Sequence, residues 1–184
     1  MWIFLFIHAI LCILDLYLIK NCKFFIGTQS GILDTAFLFK KDCFIANVVR
    51  LFETPPKTIK SRALCKIPYF KNTNKTLNLH QYLSLPYKFH HELYINDELD
   101  FIENSNEDLY ECIKEFLILI EKEESEIILK ENENLFNNCL LNRFYDMFKN
   151  DKDLISHFQK VELFRLLKSL KGAYSSVFLS KYFK

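Results

Sequence analysis

Residues 23–27 read Lys-Phe-Phe-Ile-Gly, and a second glycine follows at Gly31. The apolar run Phe24-Phe25-Ile26 has the length of a buried strand, and glycine commonly ends such a run at a turn. A second strand-sized apolar run extends from Ala36 to Phe39. The stretch therefore predicts two short strands near the beginning of the chain.

The next apolar residues return at helical spacing. They are Phe44, Ile45, Val48, Val49 and Phe52, and they predict a short helix that ends before Pro55 and Pro56. The segment from Pro55 to Lys75 is basic and contains three prolines. It therefore predicts a linker or an irregular segment.

Longer apolar patterns predict helices in the rest of the chain. One helix, capped by Ser84 with Pro86 in its first turn, runs through Leu93. Another begins near Ser105 and carries a stripe at 4-3-4 spacing, formed by Leu109, Ile113, Phe116 and Ile120.

Two more helices are predicted towards the C-terminus. The first carries a stripe of Phe136, Leu140, Phe144 and Phe148 and ends near Asn150. The second, capped by Asp151 or Asp153, extends from Leu154 to Leu170, and Gly172 is placed as its C-terminal cap.

The composition favours a mainly helical protein. The 184 residues are 50% apolar and include only 3 Gly and 4 Pro, which disfavours all-β folds rich in tight turns. We therefore predict an α+β fold that is mainly α. A small β-rich domain with one short helix covers residues 1–66, a basic linker or irregular segment covers 67–84, and a helical domain covers 85–184.

The formal net charge of +1 is the sum of three unlike segments. Residues 54–88 contain seven bases and no acid, residues 95–134 sum to −11, and residues 135–184 sum to +5. Such blocks indicate charged faces that meet partners or each other, and solvated faces of separate helices explain any single block equally well. The near-zero total argues against binding nucleic acid through a uniformly basic surface.

The N-terminal run has two interpretations. The run from Trp2 to Leu14 is apolar except for His8, and it has the length of a signal-peptide core. No basic residue precedes the run, and Asp15 interrupts it well before the about 20 apolar residues of a membrane span. A signal or anchor and a buried core element stay equally open. The six scattered cysteines favour buried thiols over a disulfide framework.

The most site-like cluster is His90-His91-Glu92. Adjacent histidines point about 100° apart on a helix, so this cluster lacks the spacing that places two metal ligands on one face. The sequence has no phosphate-binding loop, nucleophile elbow or dinucleotide fingerprint. Aromatic residues among the bases of residues 54–88 suit a nucleic-acid face but match no known motif. We predict no catalytic residue, no cofactor and no metal.

Six short motifs occur in the order found in one known family. Phe24-Phe25-Ile26-Gly27 with Gly31 resembles its strand-turn signature. Phe44-Ile45-Ala46 stands where the family has Trp-Leu-Ala at the beginning of a short helix. Cys65-Lys66-Ile67-Pro68 resembles the family's crossing into a helical domain.

The remaining three motifs lie in the predicted helical part. Leu85-Pro86-Tyr87-Lys88-Phe89 with Glu92 resembles the family's first helical residues. Glu107-Asp108-Leu109 resembles the acidic beginning of its central helix, and Val161-Glu162-Leu163 resembles its last helices. In these motifs and their order the chain resembles subunit two of the GINS complex, a four-protein DNA-replication assembly.

The resemblance implies a nuclear, non-catalytic scaffold subunit. Its partners are the other three GINS subunits, the MCM helicase ring and a further accessory protein, and it contacts DNA only indirectly or through residues 54–88. The resemblance also implies no membrane contact, so Trp2 to Leu14 is core of the small domain. The stripe Leu109, Ile113, Phe116 and Ile120 is then buried partly against sister subunits.

Two alternatives stay open from the residues. One is a secreted or membrane-anchored small helical protein, which uses the apolar N-terminus as signal or anchor and carries the sequon Asn74-Lys75-Thr76. The other is a small metal-dependent enzyme around His90 and His91.

Overall fold

The structure is a computed structural model that describes residues 13–49, 51, 55–83, 98–150, 161, 165 and 168–183. Four sequence predictions fall outside these residues: the fate of residues 2–12, the helix from Ser84 to Leu93, the His90-His91-Glu92 cluster, and nearly all of the helix from Leu154 to Leu170. They stay predictions.

The described chain is mixed α/β, with more helix than strand and two small sheets. The helices are residues 13–21 (α1), Gly31–Leu38 (α2), Leu79–Leu83 (α3), Asn106–Ile120 (α4), Glu131–Asn150 (α5) and Ser176–Tyr182 (α6). A single 3₁₀ turn covers Glu124–Glu126. The strands are Phe24–Thr28 (β1), Asp42–Val48 (β2), Arg62–Cys65 (β3), Ile67–Phe70 (β4), Lys75–Thr76 (β5), Leu99–Ile102 (β6) and Ala173–Tyr174 (β7).

The larger sheet is entirely parallel, in the order β1-β2-β3-β7. Helix α2 connects β1 to β2, because parallel neighbours need a crossover rather than a tight hairpin. Cys43, Phe44 and Ile45 of β2 are buried one after another, as expected for a strand that is covered on both faces. The strand predicted at Phe24-Phe25-Ile26 is confirmed as β1.

The strand predicted from Ala36 to Phe39 is wrong, because these residues continue and end helix α2. Leu33 and Ala36 lie three positions apart and are both fully buried, which is the periodicity of a helix face. A short apolar run alone does not distinguish a buried strand from a short helix.

The helix predicted from Phe44 to Phe52 is also wrong, because residues 44–48 form β2 and neither Val49 nor Leu51 is helical. Asn47 has a φ of 55°, and the pairing of β2 with β3 shifts between Ile45 and Val48. This bulge places Val48 in the core three residues after Ile45, so the strand imitates the spacing of a helix.

The segment predicted as irregular, Pro55 to Lys75, contains three strands. All four residues of β3 are buried in the parallel sheet. Strand β4 lies at the centre of an antiparallel sheet of order β5-β4-β6, although it contains Pro68. The Pro68 carbonyl accepts a hydrogen bond from the Leu77 amide at 2.9 Å, so the acceptor that proline retains is used.

Gly172 is not the left-handed helix cap predicted, since no described glycine has a positive φ. It directly precedes β7, and its amide donates to the Pro56 carbonyl at 3.1 Å. A Cβ atom at this position would lie 2.3 Å from the Ser61 carbonyl oxygen and 2.5 Å from that of Thr58. The glycine therefore permits a close approach of two backbones.

Helix α4 begins where the sequence predicts. The Ser105 hydroxyl accepts a hydrogen bond from the Asp108 amide at 3.1 Å, which is an N-cap. Phe116 is fully buried, and its ring centroid lies 5.6 Å from that of Phe24 and 5.9 Å from that of Phe44. The stripe on α4 thus covers the parallel sheet. In α5, Phe136 and Leu140 are buried as predicted.

Helix α1 carries an apolar surface that the described chain leaves exposed. Its exposed residues are Ile13, Leu14, Leu16, Tyr17 and Leu18, whereas Ile19 is buried. The resemblance implies that Trp2 to Leu14 is core, but Ile13 and Leu14, the two described residues of this run, are exposed. Of the helices that the structure describes, none has both the length and the apolar composition needed to cross a bilayer.

Candidate binding pocket

A pocket lies on the helical side of the parallel sheet. Its volume of about 360 Å³ is within the usual size range of ligand sites. Its walls come from α4, the segment that follows it, the first turn of α5 and the beginning of α6. The lining residues are Arg62, Glu111, Lys114, Glu115, Ile118, Leu119, Lys122, Glu126, Ile127, Ile128, Lys130, Glu133 and Val177.

A buried ion pair joins the sheet to α5 beneath this pocket. Arg62 lies opposite Phe44 in the register of β2 and β3, so its side chain is on the face that α4 and α5 cover. Its Nε atom lies 3.0 Å from Oε1 of Glu133, and the two side chains are 2% and 1% exposed. The N–H is not aligned for a hydrogen bond, so this contact is ionic.

Arg62 Nη1 and Glu133 Oε2 bond to the backbone. Arg62 Nη1 donates to the carbonyls of Ile59 at 3.0 Å and Ser61 at 2.9 Å. Glu133 Oε2 accepts from the Lys130 amide at 2.7 Å, just before α5 begins. Burial raises the pKa of the Glu133 carboxyl, and the positive charge of Arg62 opposes that rise.

A second carboxylate, that of Glu115 on α4, lies in the pocket wall. Its Oε2 atom accepts a hydrogen bond of 2.5 Å from the Ser175 hydroxyl, which precedes α6. Its Oε1 atom lies 3.3 Å from the Lys130 ammonium. The Glu115 side chain is only 11% exposed, whereas that of Lys130 is 61% exposed. The largely buried Glu115 carboxylate is thus paired with the ammonium of Lys130, whose side chain is mostly exposed to solvent.

The rim of the pocket is apolar on several sides. Ile118, Ile128 and Val177 are exposed around the opening, and Ile127 is buried below them. Exposed aliphatic side chains beside partly buried charges are typical of a surface that binds a ligand or partner.

A separate polar cluster attaches α6 to the beginning of α4. The Asp108 carboxylate lies 2.6 Å from the Lys181 ammonium and accepts hydrogen bonds from Tyr182 Oη at 3.0 Å and Ser105 Oγ at 2.7 Å. Burial raises the pKa of Asp108, but these three donors outweigh burial and lower it overall. The cluster therefore fastens the beginning of α4 to α6.

The structure places the predicted interface residues within the chain's own core. Phe116 and Ile120 are buried, and Leu109 and Ile113 are half-buried against the same core. The part of α4 that faces solvent carries Tyr110, Leu117 and Ile118 instead.

All bases of residues 54–88 except Lys88 are described, and several of these have partners within the chain. Arg62 is buried, and Lys66 pairs with Glu103 on the other side of β6. The Lys57 ammonium lies 4.3 Å from the centre of the Phe37 ring. These bases are therefore used mainly within the chain, which weakens a nucleic-acid surface made of them.

The described histidines, cysteines and carboxylates include no group of three or more arranged to hold a metal ion. The five described cysteines are free thiols, of which Cys43, Cys65 and Cys112 are buried. His90 and His91 lie outside the described residues, so the metal hypothesis stays a prediction.

Sequence reasoning missed Arg62, Glu115 and Glu133. The one signal for them is the alternation of charged blocks, since Arg62 belongs to the basic block and both glutamates belong to the acidic one. The interpretation that the blocks meet each other is confirmed for Arg62 with Glu133. It holds again for Lys181 with Asp108.

Comparison of the chain with protein-family models, with curated proteins and with solved structures gives no match.

Proposed function

We propose that the chain is a non-catalytic assembly subunit of the GINS type, which supports the replicative MCM helicase in initiation and elongation of DNA replication. The observation that carries this proposal is the exposed apolar surface of the helices. Helix α1 exposes five large apolar side chains, and α4 exposes Tyr110, Leu117 and Ile118 beside its buried stripe. Several large apolar side chains exposed on one helix favour a chain that is covered by partner subunits.

Two of the family motifs give further support. Residues 24–27 form the strand that the resemblance implies, and Glu107-Asp108-Leu109 begins a long helix. The motif Phe44-Ile45-Ala46 does not support it, because these residues lie in β2 rather than in a helix. We further propose, on the basis of the resemblance, that a β-rich domain precedes a helical domain in this chain.

The partners are the other three subunits of the complex, and through them the MCM ring and its accessory protein. Localisation is nuclear. Contact with DNA is indirect, because the described bases of residues 54–88 are largely engaged within the chain.

Co-expression of the full chain with the other three subunits tests the proposal. We expect a stoichiometric complex on gel filtration, and Leu117→Asp weakens its assembly because it places a charge in the exposed apolar face of α4. Leu38→Asp is the matched control, since Leu38 is 80% exposed at the end of α2. The proposal is contradicted if the wild-type chain is a stable monomer that does not bind the three subunits.

Two specific observations favour the secreted or membrane-anchored alternative. Ile13 and Leu14 are exposed, as expected of a segment that a membrane or a signal-recognition machinery covers. Asn74 of the sequon is also exposed, in a turn where its φ is 53°. The intact mass of the native protein decides: a full-length, unglycosylated species with reduced thiols excludes secretion.

A further inference from the structure

The pocket between α4 and α5 is lined by four carboxylates and four cationic side chains, and Lys130 is the cation that pairs with Glu115. Arg62 at its floor is already engaged by Glu133 and by two backbone carbonyls. The Glu115 carboxylate is held in the wall by Ser175, and its second oxygen faces only the Lys130 ammonium at 3.3 Å. Without Lys130, the four carboxylates of the lining (Glu111, Glu115, Glu126 and Glu133) outnumber the three remaining cations (Arg62, Lys114 and Lys122) by one.

Lys130 is easily displaced from this position. Its side chain is mostly solvated, so the ammonium can leave Glu115 and become fully hydrated without any change in the fold around it. Glu115, by contrast, is fixed by its bond to Ser175 and by its place on α4. The chain's own ammonium therefore occupies the position of an exchangeable cation.

A guanidinium suits the pocket better than an ammonium does. Glu111 and Glu115 both line it and lie four residues apart on α4, so their carboxylates are neighbours on one helix face. A planar guanidinium donates several parallel hydrogen bonds to carboxylates and is more weakly hydrated than an ammonium. Next to the head, an apolar stem would lie against Ile118, Ile128 and Val177.

We propose that this pocket binds an organic monocation with a guanidinium head and an apolar stem, which pairs with Glu115 in place of Lys130. Such a group comes from either of two sources, a free small molecule or an arginine side chain of a partner polypeptide. The inference does not rest on the proposed function, because it depends only on the groups in the pocket.

Calorimetric titration of the full chain with n-butylguanidinium tests the chemistry, and n-butylurea, a neutral compound of the same shape, is the reference ligand. We expect binding of the guanidinium and at least tenfold weaker binding of the urea. Equal binding of the two compounds, or no binding of the cation, overturns the proposal.

Two variants locate the site, and they act in opposite directions. Glu115→Gln weakens n-butylguanidinium at least tenfold, whereas Lys130→Ala strengthens it at least threefold by removing the internal competitor. The matched controls are Glu107→Gln, exposed in the first turn of α4, and Lys75→Ala, exposed in β5. If the controls change affinity as much as the pocket variants do, the effect is one of overall charge and the proposal fails.

Thermal unfolding of each variant accompanies the titration. Should Glu115→Gln not fold, Lys130→Ala alone decides, since an unchanged or weaker affinity in that variant contradicts the proposal.

Two further ligands distinguish the sources. Tighter binding of Nα-acetyl-arginine methylamide than of free arginine identifies a side chain within a polypeptide. The reverse order identifies a small molecule. Failure of both overturns the proposal, while the outcome of the co-expression experiment is unaffected by either result.

Discussion

The Nε atom of Arg62 lies 3.0 Å from Oε1 of Glu133, and water is excluded from both side chains. The pair connects a central strand of the sheet to the first turn of α5. Removing one member leaves the other charge buried without compensation, which costs far more than the pair contributes.

Replacing either member singly is therefore strongly destabilising. We expect Arg62→Met and Glu133→Leu each to lower the free energy of unfolding by about 3–5 kcal/mol in urea titrations. The double variant Arg62→Met/Glu133→Leu should lose much less than the sum of the two. Lys23→Met, which breaks the exposed pair with Glu121, is the control and should leave the midpoint unchanged. Additive losses in the double variant would contradict the coupling.

The Asp108 cluster makes stability depend on pH in acid. Because the folded state lowers the pKa of this carboxyl, its contribution is complete above the ordinary carboxyl pKa of about 3.9 and is lost as the pH falls towards the lowered native value. Asp108→Asn should therefore be less stable than the wild type at pH 7, and the difference should shrink below pH 4. Thermal unfolding at a series of pH values measures this, and a difference that does not vary with pH would refute it.

Two glycines should respond in opposite ways to alanine. Gly172→Ala pushes a methyl group against the carbonyls of Ser61 and Thr58, and overpacking of this kind costs about 1–3 kcal/mol or more. Gly31→Ala meets no heavy atom within 4 Å at the beginning of α2, so it should be neutral or slightly stabilising. Urea unfolding of the two variants gives the comparison. Equal effects would mean that the contact before β7 is not tight.

The bulge at Asn47 predicts a selective response to side-chain shape. Its φ of 55° is costly for a β-branched residue, and its side-chain oxygen accepts a hydrogen bond of 2.9 Å from Asn104. Asn47→Val should therefore destabilise by about 1–2 kcal/mol from backbone strain alone. Asn47→Gly should lose less, since glycine adopts this φ freely and forfeits only the hydrogen bond. If valine is tolerated as well as glycine, the residue does not hold this conformation in solution.

Local signals account for the parts of the fold that the sequence predicts well. Helix α4 is readable because Ser105 caps it and its apolar residues repeat along one face. Strand β1 is readable as a short aromatic run that ends near a glycine. In both cases the deciding residues are close together in the chain.

Long-range packing accounts for the parts that sequence reasoning misses. Strand β2 is buried on both faces and bulged at Asn47, so its apolar pattern lacks the period of two. Strand β7 has two residues, and only its pairing with β3 makes it a strand. The pocket escapes prediction for the same reason, because Arg62 and Glu133 are far apart in sequence and each looks like one more member of a solvated charge block.

The parallel pairing of Arg62 with Ala173 also has a consequence for biosynthesis. More than a hundred residues separate the two strands, so β3 lacks this neighbour until residues 173–174 have been synthesised. Until α5 emerges, the guanidinium of Arg62 has no carboxylate to neutralise it and stays hydrated. We therefore expect the nascent strands β1 to β3 to depend on chaperones until β7 is available.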